Sequence, residues 1–326
     1  MGTREREDQL VFVTVSEFTI RRRRLASGWH YTDDGGAAID DSDEIDRLNR
    51  IGLPPAYNEA RFCAHPLGHI QAIGIDARGR RQYRYHPDFR ADMDAAKFAL
   101  CQEFGGALPA LRKRLEADLA RPPATRECVL ASLVRILDAA YLRIGNETYA
   151  KHNKSFGLTT LRNRHARVKG GAVHLEFRGK GGIMRSVRLN DRSLARIVRH
   201  CQDLPGQQLF QYRGDDGALH PIASSDVNAY LRDAMGAEFT AKDFRTWHAS
   251  VLAYGALHEG LGLKNMLARV SAALGNTPAM ARKAYIHPAL IELAAADDPN
   301  LPKLPRALSR QSREERGLIR FLEQSG

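Results

Sequence analysis

Hydrophobic positions recur along this chain with two different periods. Up to residue 90, short β-branched and aromatic stretches such as 9–20 and 70–75 are separated by turn-forming residues, a pattern typical of β-strands. From Ala91 onward, apolar residues recur every three to four positions, which indicates helices with one buried face. The pattern predicts an α+β protein, with a small sheet-rich domain over residues 1–90 and a larger, mainly helical domain over residues 91–326.

Capping residues, glycines and prolines mark where the helices of the second domain are predicted to begin and end. A helix that starts at Thr277-Pro278 is predicted to carry Tyr285 about two turns later. Thr240 is predicted to cap the helix that carries Arg245 near its start. The other predicted helices span 91–105, 107–120, 126–142, 191–203, 225–235 and 264–274, with the Arg245 helix over 241–258 and a terminal helix within 302–326.

A small three-stranded sheet is predicted to interrupt these helices between residues 161 and 189. Turn signals at Gly170-Gly171 and at Gly179-Lys180-Gly181-Gly182 separate its strands. Lys180 therefore lies at the tip of a predicted hairpin, where the neighbouring glycines favour flexibility.

The N-terminal domain carries two groups of basic residues. Four consecutive arginines, Arg21 to Arg24, follow the predicted strand at 9–20 and could equally form a solvated face. A hairpin is predicted over 68–86, and cations interleaved with aromatic rings on its second strand suit a nucleic-acid backbone, although an edge strand with exposed arginines has the same pattern. Alternation places Arg80, Gln82 and Arg84 on one face of that strand, and Arg81, Tyr83 and Tyr85 on the other.

The strongly basic composition narrows the choice of partner. The chain has 49 Lys and Arg against 38 Asp and Glu, a formal net charge of +11, and this excess favours a polyanion such as nucleic acid. No apolar run approaches the ~18 residues of a membrane span, and no signal-peptide core is present, so we expect no membrane association. The four cysteines are far apart and match neither a zinc spacing nor a disulfide framework, which indicates the reducing cytoplasm.

The candidate chemistry rests on a tyrosine, two arginines and a lysine. Arginines can hold the non-bridging oxygens of a phosphodiester, a lysine can protonate the leaving oxygen, and a phenol can attack the phosphorus in line. Such a transesterification conserves the bond energy and needs no ATP. Because the sequence has no metal-ligand cluster, phosphate-binding loop or dinucleotide fingerprint, we expect no metal, nucleotide or other cofactor.

Eight short motifs in a fixed order resemble those of the type IB DNA topoisomerases, in the short form shared by bacteria and poxviruses. The resemblance extends over nearly the whole chain. The motifs are I-R-R-R-R-L, L-P-P-A-Y, D-A-R-G-R-R-Q-Y-R-Y-H, L-R-I-G-N-E-T-Y, G-L-T-T-L-R-N-R-H, F-R-G-K-G-G, K-D-F-R-T-W and A-Y-I-H-P.

The resemblance assigns roles to individual residues. Arg143 and Arg245 match the two phosphate-binding arginines, and Lys242 would support Arg245. Lys180 matches the general acid and Tyr285 the nucleophile. Residues that match the DNA-contacting positions of the family are Gln82, Tyr83, Tyr85 and Tyr149.

Asn276 departs from the family pattern. It lies nine residues before Tyr285, at a position that is often histidine in the family. An amide can donate a hydrogen bond to a phosphate oxygen but cannot carry a proton or a charge. The alternative is that Asn276 only caps the turn before Thr277-Pro278.

The resemblance implies a monomeric enzyme that relaxes supercoiled duplex DNA without ATP or metal. It would cleave one strand through a 3′-phosphotyrosyl intermediate, allow strand rotation and religate, with the N-terminal domain as part of a clamp on double-stranded DNA. It would be cytoplasmic, and associated with the nucleoid in a bacterium.

Two other functions stay open from the sequence. A tyrosine site-specific recombinase, or integrase, uses the same chemistry, but its second arginine usually follows a histidine where this chain has Lys242, and its N-terminal domain is usually helical. A non-enzymatic DNA-binding protein would need only the positive charge, but it would leave Lys180, Asn276 and Tyr285 unexplained.

Overall fold

A computed structural model describes residues 9–26, 28–296 and 301–325 of the chain, without the side chains of Thr148, Tyr149, His152 and Ser325. The chain divides into two compact units between Ala96 and Lys97. The boundary predicted from the change of period lies six residues earlier, between residues 90 and 91. Both positions fall within one long helix, Pro87–Leu119.

The N-terminal unit is built on a five-stranded antiparallel sheet in the order β2-β1-β3-β4-β5. Helix α1 covers one face of this sheet, and its Leu48 is buried with Ile20, Phe62 and Ala72 of the strands. The elements are β1 (Ile20–Leu25), β2 (Gly28–Thr32), α1 (Ser42–Arg50), β3 (Asn58–Phe62), β4 (Ile70–Ile75) and β5 (Arg81–Tyr85).

The prediction of a strand over 9–20 is wrong. The first strand, β1, begins only at Ile20 and is formed mainly by the arginines that follow. Arg22 is held inside β1 by donating to the carbonyl oxygens of Leu53 (2.7 Å) and Pro54 (2.9 Å), and its guanidinium lies 4.0 Å from the centre of the Trp29 ring. Val13 and Phe18 are buried without forming a strand. An arginine whose stem packs and whose donors are satisfied is compatible with a strand interior.

The C-terminal unit is mainly helical and contains the predicted three-stranded sheet, in the order β6-β7-β8. Its elements are α2 (Pro87–Leu119), α3 (Arg126–Ala140), α4 (Glu147–Asn153), β6 (Ala166–Lys169), β7 (Ala172–Arg178), β8 (Met184–Asn190), α5 (Arg192–Asp203), β9 (Gln211–Arg213), β10 (Leu219–Pro221), α6 (Ser224–Met235), α7 (Asp243–His258), α8 (Leu263–Leu274), α9 (Pro278–Ala284), α10 (Pro288–Ala295) and α11 (Arg313–Ser325). The predicted α+β fold is confirmed.

The two helices predicted over 91–105 and 107–120 are a single helix, α2, which continues through Pro109. In the sequence, Gly105 suggests that a helix ends there, but packing requires the glycine. A Cβ atom at this position would lie 2.2 Å from the indole of Trp247. Trp247 is fully buried on α7. The glycine therefore allows α2 and α7 to approach closely, and burial of the indole outweighs the low helix propensity of glycine.

A buried charge cluster joins α2, α3, α7 and α11. Arg112 donates to Asp138 (2.8 Å) and to Glu315 (2.7 Å), and His248 bonds the Asp138 carboxylate at 3.0 Å. Burial raises the pKa of Asp138, but the hydrogen bonds from His248 and Arg112 outweigh it and hold that pKa far below its usual value. The cluster thus fixes α11, the predicted terminal helix, and the helices α3 and α7.

None of the helices in the described part of the chain is long and apolar enough to span a membrane.

Candidate active site

Arg245 lies in the first turns of α7 and is almost fully buried, with 3% of its surface exposed. Its Nη1 donates to the carbonyl oxygen of Tyr141, and its Nη2 donates to that of Leu274 at 3.1 Å. Tyr141 ends α3 in the left-handed conformation (φ 56°), and Leu274 is the last residue of α8. Carbonyls at helix C-termini lack helical partners and carry partial negative charge. Arg245 therefore ties together the ends of two helices.

The start of α7 differs slightly from the prediction. The helix begins at Asp243, so Thr240 is not its N-cap residue. The Asp243 carboxylate instead accepts hydrogen bonds from the Thr240 N–H (2.8 Å) and hydroxyl (2.9 Å). These hydrogen bonds fix the segment that leads into α7, which starts two residues before Arg245.

Tyr285 ends α9, and its ring lies beneath the Arg245 guanidinium, 4.8 Å from the guanidinium carbon to the ring centroid. Burial raises the pKa of the Tyr285 phenol, but the positive charges of Arg245 and then Arg143 outweigh burial, and the net pKa is lowered. A phenol with a lowered pKa is a better nucleophile near neutral pH. The structure therefore brings three of the residues singled out in the sequence into one group.

Arg143 reaches this group from the segment between α3 and α4. Its carbonyl oxygen accepts from the Leu158 N–H at 3.0 Å, which holds the segment against residues 157–160. Gly145 and Gly157 allow the contact, since a Cβ on Gly157 would lie 2.4 Å from the Gly145 Cα. The two glycines are thus needed where the backbone carrying Arg143 passes closest to its neighbour.

Asn276 lies in the turn between α8 and α9, directly after Gly275, which takes the left-handed conformation (φ 63°). The amide Nδ2 and Oδ1 atoms of Asn276 are both buried, and neither has a hydrogen-bond partner in the described part of the chain. Thr277 caps α9 instead, since its hydroxyl accepts from the Met280 N–H at 3.2 Å. The turn-capping alternative therefore lacks the side-chain hydrogen bond that it requires.

The sequence resemblance gives Asn276 the role of a hydrogen-bond donor to a phosphate oxygen, so we expect Asn276→Ala to slow DNA cleavage about 10²- to 10³-fold, the usual cost of losing one oxyanion donor. The folded chain should be no less stable, because the amide makes no hydrogen bond to the described residues that its loss would break. Single-turnover cleavage and thermal melting measure the two effects separately. Thr277→Ala is the matched control in the next residue, and it should lower stability by removing a helix cap while sparing the rate. An unchanged cleavage rate with a lowered melting temperature for Asn276→Ala would contradict this role.

The structure leaves the two candidate lysines outside this group. Lys180 is exposed in a single 3₁₀ turn between β7 and β8, followed by Gly181 (φ 75°) and Gly182 (φ 81°). Lys242 is exposed beside the start of α7, and its carbonyl oxygen accepts from the Arg245 N–H at 3.1 Å. None of the side-chain contacts found in the described residues joins either lysine to Arg245 or Tyr285.

Two residues near the group were missed from the sequence. The Ser250 hydroxyl on α7 accepts a hydrogen bond from the His287 N–H at 3.0 Å, which fixes the chain just after Ile286. Its own proton is donated to the Thr246 carbonyl at 3.0 Å, with the Tyr285 carbonyl further away at 3.5 Å. Arg185 on β8 donates to the carbonyl of Ala273 at 2.9 Å. Neither belongs to a quoted motif, and the partners His287 and Ala273 are tens of residues away in sequence.

The candidate DNA-contacting residues of the N-terminal unit lie on β5, an edge strand with the predicted alternation. Tyr83 and Tyr85 are 40% and 46% exposed and stack on each other, with ring centroids 6.2 Å apart. Gln82 is half-buried on the other face and donates to Asp76 at 3.1 Å. The side chain of Tyr149, the remaining candidate, lies outside the described residues.

The face of the sheet that carries Tyr83 is basic well beyond β5. Paired residues of antiparallel strands share a face, and the pairing runs from Arg21 to Arg61, from Arg61 to Ile73 and from Ile73 to Tyr83. Helix α1 covers the opposite face. Exposed arginines on the Tyr83 face are Arg21, Arg23, Arg61 and Arg81.

Comparison with known proteins identifies the family of this chain. The family model of the eukaryotic DNA topoisomerase I catalytic core matches residues 86–290, and that of the bacterial DNA topoisomerase IB N-terminal domain matches residues 28–76. The chain belongs to the type IB DNA topoisomerase family. This membership favours the topoisomerase assignment over the recombinase alternative.

Individual relatives show how far the similarity extends. DNA topoisomerase 1B of Acanthamoeba polyphaga mimivirus is 32% identical over 218 residues, which are 66% of this chain and 65% of that protein. DNA topoisomerase 1B of vaccinia virus (strain Copenhagen) is 20% identical over 262 residues, 78% of this chain and 83% of the viral protein. DNA topoisomerase 1 of Mycosarcoma maydis is 25% identical over 205 residues, but this chain spans only 20% of its length.

Proposed function

We propose that this chain relaxes supercoiled duplex DNA by transient cleavage of one strand. The observation that carries the proposal is the pair formed by the half-buried Tyr285 and the buried Arg245, in which the arginine lies over the phenol ring and lowers the pKa of the phenol. A tyrosine that only filled the core would not need a guanidinium held over its ring by two helix ends.

Each step of the proposed reaction uses a residue of this chain. The Tyr285 phenolate oxygen attacks the phosphorus, the bond from phosphorus to the 5′ oxygen breaks, and a 3′-phosphotyrosyl ester forms. Lys180, which lies outside the group in this structure, moves to the departing 5′ oxygen on its glycine-flanked turn when DNA binds and gives that oxygen its proton. Arg143, Arg245 and the Asn276 amide stabilise the charge on the non-bridging oxygens. Attack by the 5′ hydroxyl after strand rotation reverses these steps, so ester energy is conserved and ATP is not consumed.

The electrostatics of Arg245 suit an anionic substrate. Burial and the nearby charge of Arg143 lower the pKa of Arg245 to about 10, so it remains cationic at neutral pH but in an unfavourable environment. No carboxylate pairs with Arg245 among the residues that the structure describes. A phosphodiester would neutralise part of this charge, and the buried Nε, which also lacks a partner there, could donate to it.

We further propose that the chain acts as a monomer on double-stranded DNA. Arg143, Arg245, Asn276 and Tyr285 all come from one chain, so a second copy is not needed to complete the group. The basic, tyrosine-bearing face of the N-terminal sheet supports contact with a DNA backbone. A protein with this substrate is expected in the cytoplasm, and with the nucleoid in a bacterium.

A plasmid relaxation assay tests the proposed function most directly. Supercoiled plasmid incubated with the purified chain in EDTA, without ATP, should lose its supercoils in steps of one linking number. A non-enzymatic DNA-binding protein would shift the plasmid on a gel but leave its linking number unchanged. Linear recombinant products from paired sites, without relaxation, would favour the recombinase alternative.

We expect Lys180→Ala to reduce cleavage of an ordinary phosphodiester strongly, and a 5′-bridging phosphorothiolate to restore most of the rate. The thiolate leaves without needing a proton, so only a general acid becomes dispensable on that substrate. Single-turnover cleavage of both substrates is the measurement, and Lys242→Ala serves as the control because its lysine is assigned no proton transfer. Equal slowing of Lys180→Ala on the two substrates would reject the general-acid role.

A further inference from the structure

Arg185 shares the C-terminal end of α8 with Arg245. Its Nη2 donates to the carbonyl of Ala273 at 2.9 Å, and Arg245 takes the next carbonyl, that of Leu274, at 3.1 Å. Two guanidiniums are thus bound to consecutive carbonyls of one helix end. A helix C-terminus attracts cations, but one that holds two arginines collects positive charge in a small volume.

Arg185 also fills the space over the turn that leads to Asn276. A Cβ atom on Gly275 would lie 2.0 Å from Nη1 of Arg185, so the guanidinium lies directly against the backbone of this turn. Along β8, exposed residues alternate with less exposed ones, and Arg185 is one of the half-buried residues. The strand therefore directs this side chain toward α8 and not toward solvent.

The arginines near Tyr285 are not neutralised within the described part of the chain. No salt bridge there involves Arg143, Arg185 or Arg245, whereas the partly buried Arg112 is paired with both Asp138 and Glu315. Burial and the charge of Arg143 lower the pKa of Arg185, and the charge of Arg185 contributes to the lowered pKa of Arg245. Like charges collected without a counterion oppose one another until an anion arrives.

We propose that Arg185 is a third cation of the phosphate site and a positioning residue for the turn that carries Asn276. This role rests on the proposed DNA cleavage. A phosphodiester carries one negative charge, and the five-coordinate phosphorus carries two. A fixed positive charge beside Arg245 is therefore felt more strongly in the transition state than in the bound substrate, which accelerates cleavage.

The test compares variants of two arginines from the same strand in single-turnover DNA cleavage. Arg185→Ala should slow cleavage about ten- to a hundredfold, somewhat less than the loss of a group that donates directly to the phosphate. Arg188→Ala makes the same charge change on the exposed face of β8 and should cleave at the wild-type rate. Arg185→Lys, which keeps the charge, should recover most of the rate, and Arg185→Gln should be as slow as Arg185→Ala.

A methylphosphonate at the cleavage site separates an electrostatic role from a structural one. Replacing one non-bridging oxygen by methyl removes the charge on which Arg185 acts, so Arg185→Gln should slow this substrate less than about threefold relative to wild type. Thermal melts show which variants are folded. Wild-type cleavage by Arg185→Gln, or equal slowing on both substrates, would overturn the role of Arg185 alone. A wild-type chain that forms no covalent adduct would overturn the proposed function as well.

Discussion

Replacing Tyr285 by phenylalanine is expected to abolish covalent DNA cleavage and plasmid relaxation, while DNA binding stays near the wild-type level. The change removes one oxygen from a half-buried ring and leaves the contact between the ring and the Arg245 guanidinium in place. No other group in the site can take over the attack, because the arginines are cationic and the Asn276 amide is not nucleophilic. Covalent cleavage by Tyr285→Phe should therefore be undetectable and not merely slower.

The measurement is capture of a denaturant-resistant protein–DNA adduct, with a gel-shift titration of the same samples. Tyr254→Phe is the matched control: its hydroxyl is buried on the same helix as Arg245 and has no partner in the described chain, and no role in the reaction is proposed for it. It should cleave normally. An adduct formed by Tyr285→Phe would show that another residue is the nucleophile.

Arg143, Arg245 and Tyr285 could be selected from the sequence because they lie in short local motifs that resemble those of a known family. Thr277 and Pro278 mark the start of the helix that ends at Tyr285, whereas Thr240 does not cap the helix of Arg245. The structure brings both residues together with Arg143. The exposed position of Lys180 also follows from glycines beside it. What the sequence suggests in each case is a residue type near an element boundary, which is a local property.

Arg185 shows why the rest could not be predicted. Its hydrogen-bond partner, Ala273, lies 88 residues further along the chain, and the packing of β8 against the end of α8 has no sequence signature. The error at α2 has a similar cause, since Gly105 and Pro109 indicate a break locally but the burial of Trp247 against Gly105 is a tertiary effect. Local sequence preferences therefore predicted most helices and strands, whereas contacts between residues far apart in sequence determined the cases that the prediction missed.

The buried cluster around Arg112 suggests how the site is kept rigid. It connects Asp138, three residues before the αL end of α3, with His248, three residues after Arg245 on α7. The ring of Tyr141 packs against His248 at 4.7 Å between centroids, next to the carbonyl that Arg245 binds. Paired charges thus hold the helices that carry the site, whereas Arg245 itself has no carboxylate partner in the described part of the chain.

Arg245→Ala is expected to reduce the single-turnover cleavage rate by about 10³- to 10⁵-fold, the range seen when a transition-state arginine is lost in phosphoryl transfer. The change removes positive charge from the phosphate site and leaves the carbonyls of Tyr141 and Leu274 without their donor. Arg245→Lys keeps the charge but cannot span two carbonyls and still offer a further N–H, so it should recover only part of the rate. Stability should fall in both variants, and melts are needed beside the kinetics.

The pH dependence of the same variants separates activation of Tyr285 from binding of phosphate. Arg245 is the strongest influence that lowers the pKa of Tyr285, acting against burial, which raises it. Without Arg245 that pKa rises, less phenolate is present at a given pH, and the ascending limb of the pH–rate profile moves to higher pH. Arg245→Ala should therefore regain part of its lost rate as the pH approaches about 10. Arg282→Ala, an exposed arginine on α9 three residues before Tyr285, is the control and should leave the limb in place. If the limb of Arg245→Ala coincides with that of the wild type, Arg245 acts on the phosphate alone and not on the nucleophile.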